Sequence, residues 1–240
     1  MRTMLDQLLT GGAAPRSLLV LYPWIAVTLT VAVTLLNHRR LRERLGDTAG
    51  MWVYFAGFFT FFLLVPVALV LVAEPSPGAV LASLGLGPGR WRLGLVLSAI
   101  AVPITLFMSH LSSKMPEMQG QYPFSKAACA SDGAFALYEA GYLVLYYTAW
   151  EFLYRGLLFF PLVSALGFLP AMAITTALST VYHIGHPDTE IWSALAGGVV
   201  FGLIAWLTGS VYYSFFIHAM LGVSDDAFIY ARCYRHRAAR

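Results

Sequence analysis

The sequence contains few charged residues. Lys and Arg number 15 and Asp and Glu number 12 among 240 residues, so that charged side chains make up 11% of the chain. A soluble domain has about 25% charged residues, because water must wet its surface. Hydrophobic residues reach 59%. These figures exclude an ordinary soluble globule and a disordered chain, and they indicate a polytopic membrane protein.

Other features are scarce or missing as well. The chain has two cysteines, too few for a disulfide framework. It lacks the His-Glu-x-x-His helix of zinc proteases, any nucleic-acid-binding signature and any internal repeat. A glycine-rich segment at 85–90 is interrupted by Pro88 and follows no predicted strand, so we interpret it as an interfacial loop. Nucleic acid is therefore not expected as a partner, whereas membrane lipid is.

Seven apolar runs are candidates for crossing the ~30 Å hydrocarbon core of a bilayer. They occupy residues 18–37, 51–73, 93–110, 133–166, 169–183, 191–207 and 211–230. We therefore predict an all-α, polytopic membrane helix bundle with about seven transmembrane helices. The fourth run is too long for one straight span, so we expect a tilted or broken helix there.

The arginines predict how the bundle is oriented, because Lys and Arg concentrate on the cytoplasmic side of membranes. One cluster lies at 39–44, and a second is formed by Arg232, Arg235, Arg237 and Arg240. Both are expected inside, which puts the N-terminus outside and the C-terminus in the cytoplasm. We expect an integral protein of a bacterial plasma membrane. Its predicted parts are a three-span region at 1–115, a bundle at 116–231 and a basic cytoplasmic tail at 232–240.

A few ionisable residues fall inside the apolar runs, where a charge costs several kcal/mol unless it is paired or hydrated. Glu151 and Arg155 stand at i,i+4, a spacing that favours a helical ion pair. From spacing alone, a structural salt bridge and a functional pair are equally compatible with this pattern. His183 ends the fifth run, and His218 lies within the last.

One glutamate and two histidines on three separate helices can serve two chemistries. A carboxylate and a histidine can activate a water while the second histidine stabilises an oxyanion. Alternatively, Glu151, His183 and His218 could bind one divalent metal such as zinc, leaving a coordination position open. Aromatic residues are dense near Glu151, and they suit either core packing or the wall of a site for an apolar substrate.

The order Glu151-x-x-x-Arg155-Gly156, then His183, then His218 resembles the CPBP (Abi) family of intramembrane proteases. This family includes the CAAX prenyl endopeptidases and bacteriocin-processing relatives. The resemblance covers roughly residues 120–230, and the first three spans carry no diagnostic motif. It implies that 116–231 is the catalytic bundle of a glutamate-type endopeptidase that acts on membrane-associated or lipidated peptides.

Three positions depart from the family pattern. Trp150 stands where the family has the first of two adjacent glutamates, which is generally taken as the base that activates water. Ser179 replaces a phenylalanine four residues before the histidine, and Gly222 replaces an asparagine or aspartate four residues after His218. The sequence looks closest to a divergent branch with a Trp-Glu-Phe-x-x-Arg-Gly motif and a His-x-Gly-x-Pro-x-x-Glu segment. This segment is matched by His183, Gly185, Pro187 and Glu190.

The resemblance leads us to expect peptide-bond hydrolysis. Glu151, oriented by Arg155, and His183 would polarise a water, and His218 would stabilise the oxyanion. If Glu151 does not replace the missing base, His183 must. The residues with supporting roles are Asp225, Glu190 and Trp150, with Asp225 expected to orient His218 or a loop. We expect no cofactor, with the divalent metal as the alternative.

Two further functions stay open at this point. Loss of the first glutamate is compatible with a non-catalytic scaffold or immunity protein that keeps the fold. Intramembrane Glu, Arg and His also mark proton relays, so a small proton-coupled transporter is the other alternative. The inverted repeats that would support a carrier are not found in the sequence.

Overall fold

The fold was determined as a computed structural model, which describes residues 16–235, with side chains from residue 20 onwards. Residues 1–15 of the predicted 1–115 region lie outside the described residues, as do 236–240 of the predicted tail. Within the described range, 85% helical in content, there are ten helices and no strand. They are α1 (Arg16–Thr34), α2 (His38–Leu45), α3 (Asp47–Ala73), α4 (Pro77–Ser83), α5 (Trp91–Ser112), α6 (Pro116–Gln121), α7 (Asp132–Leu166), α8 (Phe168–Val181), α9 (Asp188–Thr208) and α10 (Val211–Cys233).

The predicted all-α class is confirmed, whereas the count of seven spans is not. By length and composition, four described helices can cross a membrane, namely α3, α5, α7 and α9. A fifth candidate is the pair formed by Val20–Thr34 of α1 and α2, which meet at 53°. Helix α8 is apolar but shorter than a full span. The bundle also leaves large apolar side chains uncovered, such as Val72 at 87% exposure, which suits contact with lipid.

Helix α7 is the central helix of the bundle. In its most apolar stretch 67% of the residues are buried, against 33% or less in the other three spanning candidates. It is not a uniform α-helix, because Tyr142–Tyr147 and Phe152–Phe159 have π-helical hydrogen bonding. The long run at 133–166 therefore stays one helix with two wide turns. Aromatic rings of α3 pack against it and include Phe55 on Tyr142 and Phe58 on Tyr146.

Helices α5 and α10 form the other close pair. The Ser109 hydroxyl of α5 donates to the carbonyl oxygen of Leu221 at 2.7 Å, and the Ser224 hydroxyl lies 2.9 Å from that of Ser109. Farther along the pair, Gly94 lets the ring of Tyr213 approach, because a Cβ at Gly94 would lie 2.4 Å from that ring. The predicted 1–115 region thus packs directly against the last helix of the predicted catalytic bundle.

One end of the bundle brings together segments that are far apart in sequence. Arg39 in α2 donates through Nη2 to the carbonyl oxygen of Gly185, at 2.6 Å, and to Oε1 of Gln121, at 3.3 Å. Gly185 has φ +93°, a left-handed conformation that suits glycine and permits the tight turn between α8 and α9. The arginine cluster at 39–44 and the end of α8 therefore lie at the same end of the molecule.

Candidate active site

A cavity of about 1150 Å³ opens between α5, α7, α8, α9 and α10. Every predicted site residue except Glu151 lines it; these are Trp150, Arg155, His183, Glu190, His218 and Asp225. A plain zigzag of spans would have kept the two histidines at different depths. In the structure α8 ends at Val181, His183 lies in the turn that follows it, and both histidines line the same cavity.

Glu151 lies behind the cavity wall. Its side chain is fully buried, and its Oε1 accepts a hydrogen bond from Nδ1 of His218 at 2.7 Å. Its Oε2 lies 3.5 Å from Nε of Arg155, the i,i+4 partner. The geometry therefore connects Arg155, Glu151 and His218 in series, with His218 as the hydrogen-bond partner of Glu151.

The imidazole of His218 is held from both sides. Phe201 of α9 stacks on it, with ring centroids 4.8 Å apart and an interplanar angle of 24°. Tyr147 of α7 approaches it edge-on at 5.0 Å. Because a carboxylate oxygen only accepts, the bond to Glu151 puts a proton on Nδ1, and Nε2 is the nitrogen left for a substrate atom.

His183 is held by a hydrogen bond to the backbone. Its Nδ1 donates to the carbonyl oxygen of Ser179 at 2.7 Å, which leaves Nε2 with a lone pair when the ring is neutral. The contact uses the backbone of Ser179, so it does not depend on which side chain stands there. The departure at this position therefore leaves the anchor of His183 intact.

Trp150 packs edge-on against His183, with ring centroids 5.4 Å apart. The indole is also in contact with the rings of Tyr154 and Tyr182. Only 2% of Trp150 is exposed. An apolar ring thus occupies the side of His183 on which α7 would otherwise present the first glutamate of the motif.

Glu190, in the first turn of α9, lies at the centre of a second polar cluster. Its Oε1 accepts hydrogen bonds from Nδ1 of His186, at 2.8 Å, and from the hydroxyl of Tyr122. The same oxygen lies 3.9 Å from Nε2 of His183. Burial, together with the neighbouring Glu190, raises the pKa of Tyr122 well above its ordinary value, so this hydroxyl remains a donor.

Tyr122 and His186 were not predicted as site residues. His186 and Glu190 stand at i,i+4, a spacing from which their contact could have been predicted. Tyr122 carries no such signal, because 68 positions separate it from Glu190.

Asp225 lines the cavity but makes a different contact from the expected one. Its side chain interacts with Ser112 at the end of α5. The carboxylate in contact with His218 is that of Glu151. Asp225 therefore joins α10 to α5, and the expected role of orienting His218 falls to Glu151.

The metal alternative required Glu151, His183 and His218 to converge. Among residues 20–235, no three or more His, Cys, Asp or Glu side chains form a group that could hold a metal ion. In this arrangement Glu151 is bonded to His218, and His183 faces Glu190. The donor set named from sequence is therefore not preassembled, and independence from metal stays a prediction.

Comparison with protein families identifies the part of the chain that carries this site. Residues 134–223 match the family model of the type II CAAX prenyl endopeptidase Rce1-like proteins. The chain carries an Rce1-like domain. No curated protein and no solved structure matches it. The resemblance expected from Glu151, Arg155, His183 and His218 is thereby confirmed at the level of the family.

The Rce1-like match and the apolar helices together define the general class. The chain is an integral membrane protein with an Rce1-like domain, and that family implies protease activity. The matched residues extend from α7 into α10 and include His183 and His218. Residues outside the match also line the cavity, among them Arg39 and Met108. The Rce1-like domain therefore shares its cavity with the preceding helices.

Proposed function

We propose that this protein is an intramembrane endopeptidase that hydrolyses peptide bonds of membrane-associated or lipidated substrates. One observation carries the proposal: His183 and His218 open on the same cavity of about 1150 Å³. Each ring is fixed by a hydrogen bond at Nδ1, so each has Nε2 available for chemistry. Two oriented imidazoles that face one space fit acid–base chemistry on a bound amide.

The two imidazoles have different partners, which supports different roles. His183 is bonded to a neutral carbonyl, so its Nε2 accepts a proton from the attacking water. His218 is bonded to the Glu151 carboxylate, which compensates the charge of a doubly protonated ring. That ring donates from Nε2 to the scissile carbonyl oxygen as negative charge develops there. Glu151 and Arg155 act as positioning residues behind His218.

The size and lining of the cavity support a peptide that carries a hydrocarbon group. Small-molecule pockets range from about 300 to 1,000 Å³, and this cavity is at the upper end of that range or above it. Apolar side chains of α5 and α9 line it, including Ile104, Met108, Leu111, Trp192 and Val200. A lipidated peptide would place its backbone at the two histidines and its lipid group along the apolar side chains of α5 and α9.

The polar end of the cavity supports access from the cytoplasm. Arg39 lines the cavity and belongs to the arginine cluster that predicts the cytoplasmic side. His183, His186 and Glu190 line the same region. A cytoplasmic peptide tail anchored by its lipid could therefore reach the histidines without crossing the membrane.

The proposal is tested with purified protein in liposomes and two synthetic peptides. One peptide carries a prenylated cysteine followed by two aliphatic residues and a C-terminal residue, and the other is the same peptide without the prenyl group. We expect the wild type to release the C-terminal tripeptide, with preference for the prenylated probe. His183→Gln and His218→Gln are each expected to reduce the rate at least ~100-fold, as loss of an acid–base group does.

The matched control is His110→Gln, because His110 is an exposed histidine on α5 that does not line the cavity. It should retain wild-type activity. Activity that persists with a strong chelator supports the metal-free mechanism, and its loss, restored by zinc, would support the metal alternative. A wild type that is folded but cleaves neither probe contradicts the proposal and favours the non-catalytic scaffold.

A further inference from the structure

Glu190 carries a carboxylate oxygen that the protein leaves unsatisfied. Its Oε1 is occupied by the donors His186 and Tyr122, whereas its Oε2 is buried and has no hydrogen-bond partner among the described residues. A buried carboxylate oxygen without a donor is destabilising, and polar atoms of this kind in a cavity are ordinarily satisfied by water. Glu190 also lines the cavity at which His183 opens.

The separation between Glu190 and His183 suits a shared water. Oε1 of Glu190 lies 3.9 Å from Nε2 of His183, too far for a direct hydrogen bond and short enough for one water to contact both residues. His183 is fixed with its lone pair on Nε2, since Nδ1 donates to Ser179. Both groups are acceptors, so a water between them can donate one proton to Nε2 of His183 and the other to the carboxylate of Glu190.

Other carboxylates near the histidines do not have this geometry. Glu151 is fully buried, does not line the cavity and is bonded to His218. Trp150 covers the side of His183 that faces α7. Asp225 lines the cavity and likewise has a buried oxygen, Oδ1, without a hydrogen-bond partner among the described residues, but it interacts with Ser112 on α5.

From these contacts we infer that Glu190 is a catalytic residue, the carboxylate that activates the hydrolytic water together with His183. The inference rests on the proposed peptidase function. The water oxygen bonds to the scissile carbonyl carbon while one of its protons passes to the Glu190–His183 pair. The carbon–nitrogen bond then breaks, and the same proton goes to the leaving amine. One water is consumed, and one carboxyl and one amine are formed.

Tyr122 and His186 are positioning residues in this scheme. The hydroxyl of Tyr122 and Nδ1 of His186 both donate to Oε1 of Glu190, and Oε2 is left without a donor. Two donors fix the orientation of the carboxylate better than one donor would. Tyr122 lies outside the residues matched by the family model, as does the turn that follows it. The inferred base is therefore assembled from two parts of the chain.

The test compares Glu190→Gln with the wild type on the prenylated peptide in liposomes. Gln keeps an oxygen acceptor for His186 and Tyr122 but cannot take up the proton of water. We expect kcat to fall at least ~100-fold, with KM within threefold and an unchanged melting temperature. Glu117→Gln, on an exposed glutamate of α6, is the matched control and should behave as wild type.

A chemical rescue separates a catalytic carboxylate from a structural one. In Glu190→Ala, added formate should restore part of kcat, because the cavity is open to a small carboxylate; acetamide at the same concentration should not. Glu190→Gln with more than one third of wild-type kcat would overturn the inference, and so would Glu190→Ala that formate fails to rescue.

A third variant keeps the test decisive if Gln is not tolerated. Glu190→Asp retains the carboxylate and should keep more activity than His183→Gln; equal loss would overturn the inference. Inactivity of both the wild type and Glu117→Gln would instead count against the proposed peptidase function, so the two failures are distinguishable.

Discussion

The hydroxyl of Tyr147 occupies the space in which a side chain at position 222 would begin. A Cβ placed on Gly222 would lie 1.5 Å from this oxygen and 2.6 Å from Cζ of the same ring. The family resemblance leads one to expect an asparagine or aspartate at this position, so the glycine looks like a loss. In the structure, the hydroxyl of Tyr147 on α7 fills the part of the cavity wall that a side chain at position 222 of α10 would otherwise occupy.

Gly222→Ala is expected to prevent correct packing of α10 against α7. Tyr147 is 4% exposed and in edge contact with His218, so its ring cannot move aside without disturbing the site. Overpacking of this kind costs about 1–3 kcal/mol or more. Melting in detergent should show a clear loss of stability. Gly133→Ala, where nothing lies within 4 Å of the added Cβ, is the control and should melt like the wild type.

Arg155→Met is expected to destabilise the protein by about 3–5 kcal/mol, because it removes the cation that faces the fully buried Glu151. Adding Glu151→Gln to Arg155→Met should recover part of the loss, since no buried charge is then left without its cation. Denaturation in detergent measures both. Arg92→Met, on an exposed arginine of α5, should change stability by at most about 0.5 kcal/mol. Strictly additive effects of the two site substitutions would refute coupling through the ion pair.

The two cysteines should differ in reactivity toward a membrane-impermeant maleimide. Cys129 is 5% exposed, and burial raises the pKa of its thiol to about 12, so at pH 7 it stays protonated and unreactive. Cys233 is partly exposed at the end of α10. Labelling should therefore occur on Cys233 alone and disappear in Cys233→Ser.

The same reagent tests the orientation. With a cytoplasmic C-terminus, Cys233 should be labelled in inside-out vesicles and protected in intact cells. Labelling of Cys233 in intact cells would show that the arginine-based orientation is inverted.

Ser109→Val should weaken the contact between α5 and α10. The substitution removes the donor to the carbonyl of Leu221 and the contact with Ser224. The Ser224 hydroxyl still donates to backbone carbonyls of its own helix, including that of Leu221, so the cost is that of a lost inter-helix hydrogen bond, about 0.5–1.5 kcal/mol. The melting temperature and the peptidase rate should fall together, since Leu221 lies one turn beyond His218. Thr30→Val, an isosteric change at an exposed position of α1, should alter neither quantity.

The sequence predicted well those features that depend on local composition. Each of the seven apolar runs coincides with a helix, and the i,i+4 spacing of Glu151 and Arg155 becomes a buried ion pair. The number of spans could not be read in this way, because α8 is too short and α10 carries Asp225 and Asp226 in its C-terminal half. Apolar content identifies a buried helix without distinguishing protein from lipid as its surroundings.

The site contacts that sequence analysis missed join residues distant along the chain. Glu151 and His218 are 67 positions apart, and Tyr122 and Glu190 are 68 apart. Which carboxylate reaches which histidine depends on the rotation of α7, α9 and α10 about their axes. Packing sets this rotation, for example through Phe201 on His218, and no pattern within one helix encodes it.

Because α7 contains two π-helical segments, the number of residues in this helix matters as much as which residues they are. Such a segment accommodates an extra residue in a turn, and Phe152–Phe159 contains Arg155. Deleting one residue there would remove the extra residue and let the turn relax to regular α geometry, so the helix beyond the segment would keep its orientation. In the regular α-helical parts of α7 no wide turn absorbs such a change, and a deletion there would rotate everything beyond it by about 100°. The wide turns therefore give α7 two places at which its length can change by one residue without turning the opposite faces of the helix away from their partners.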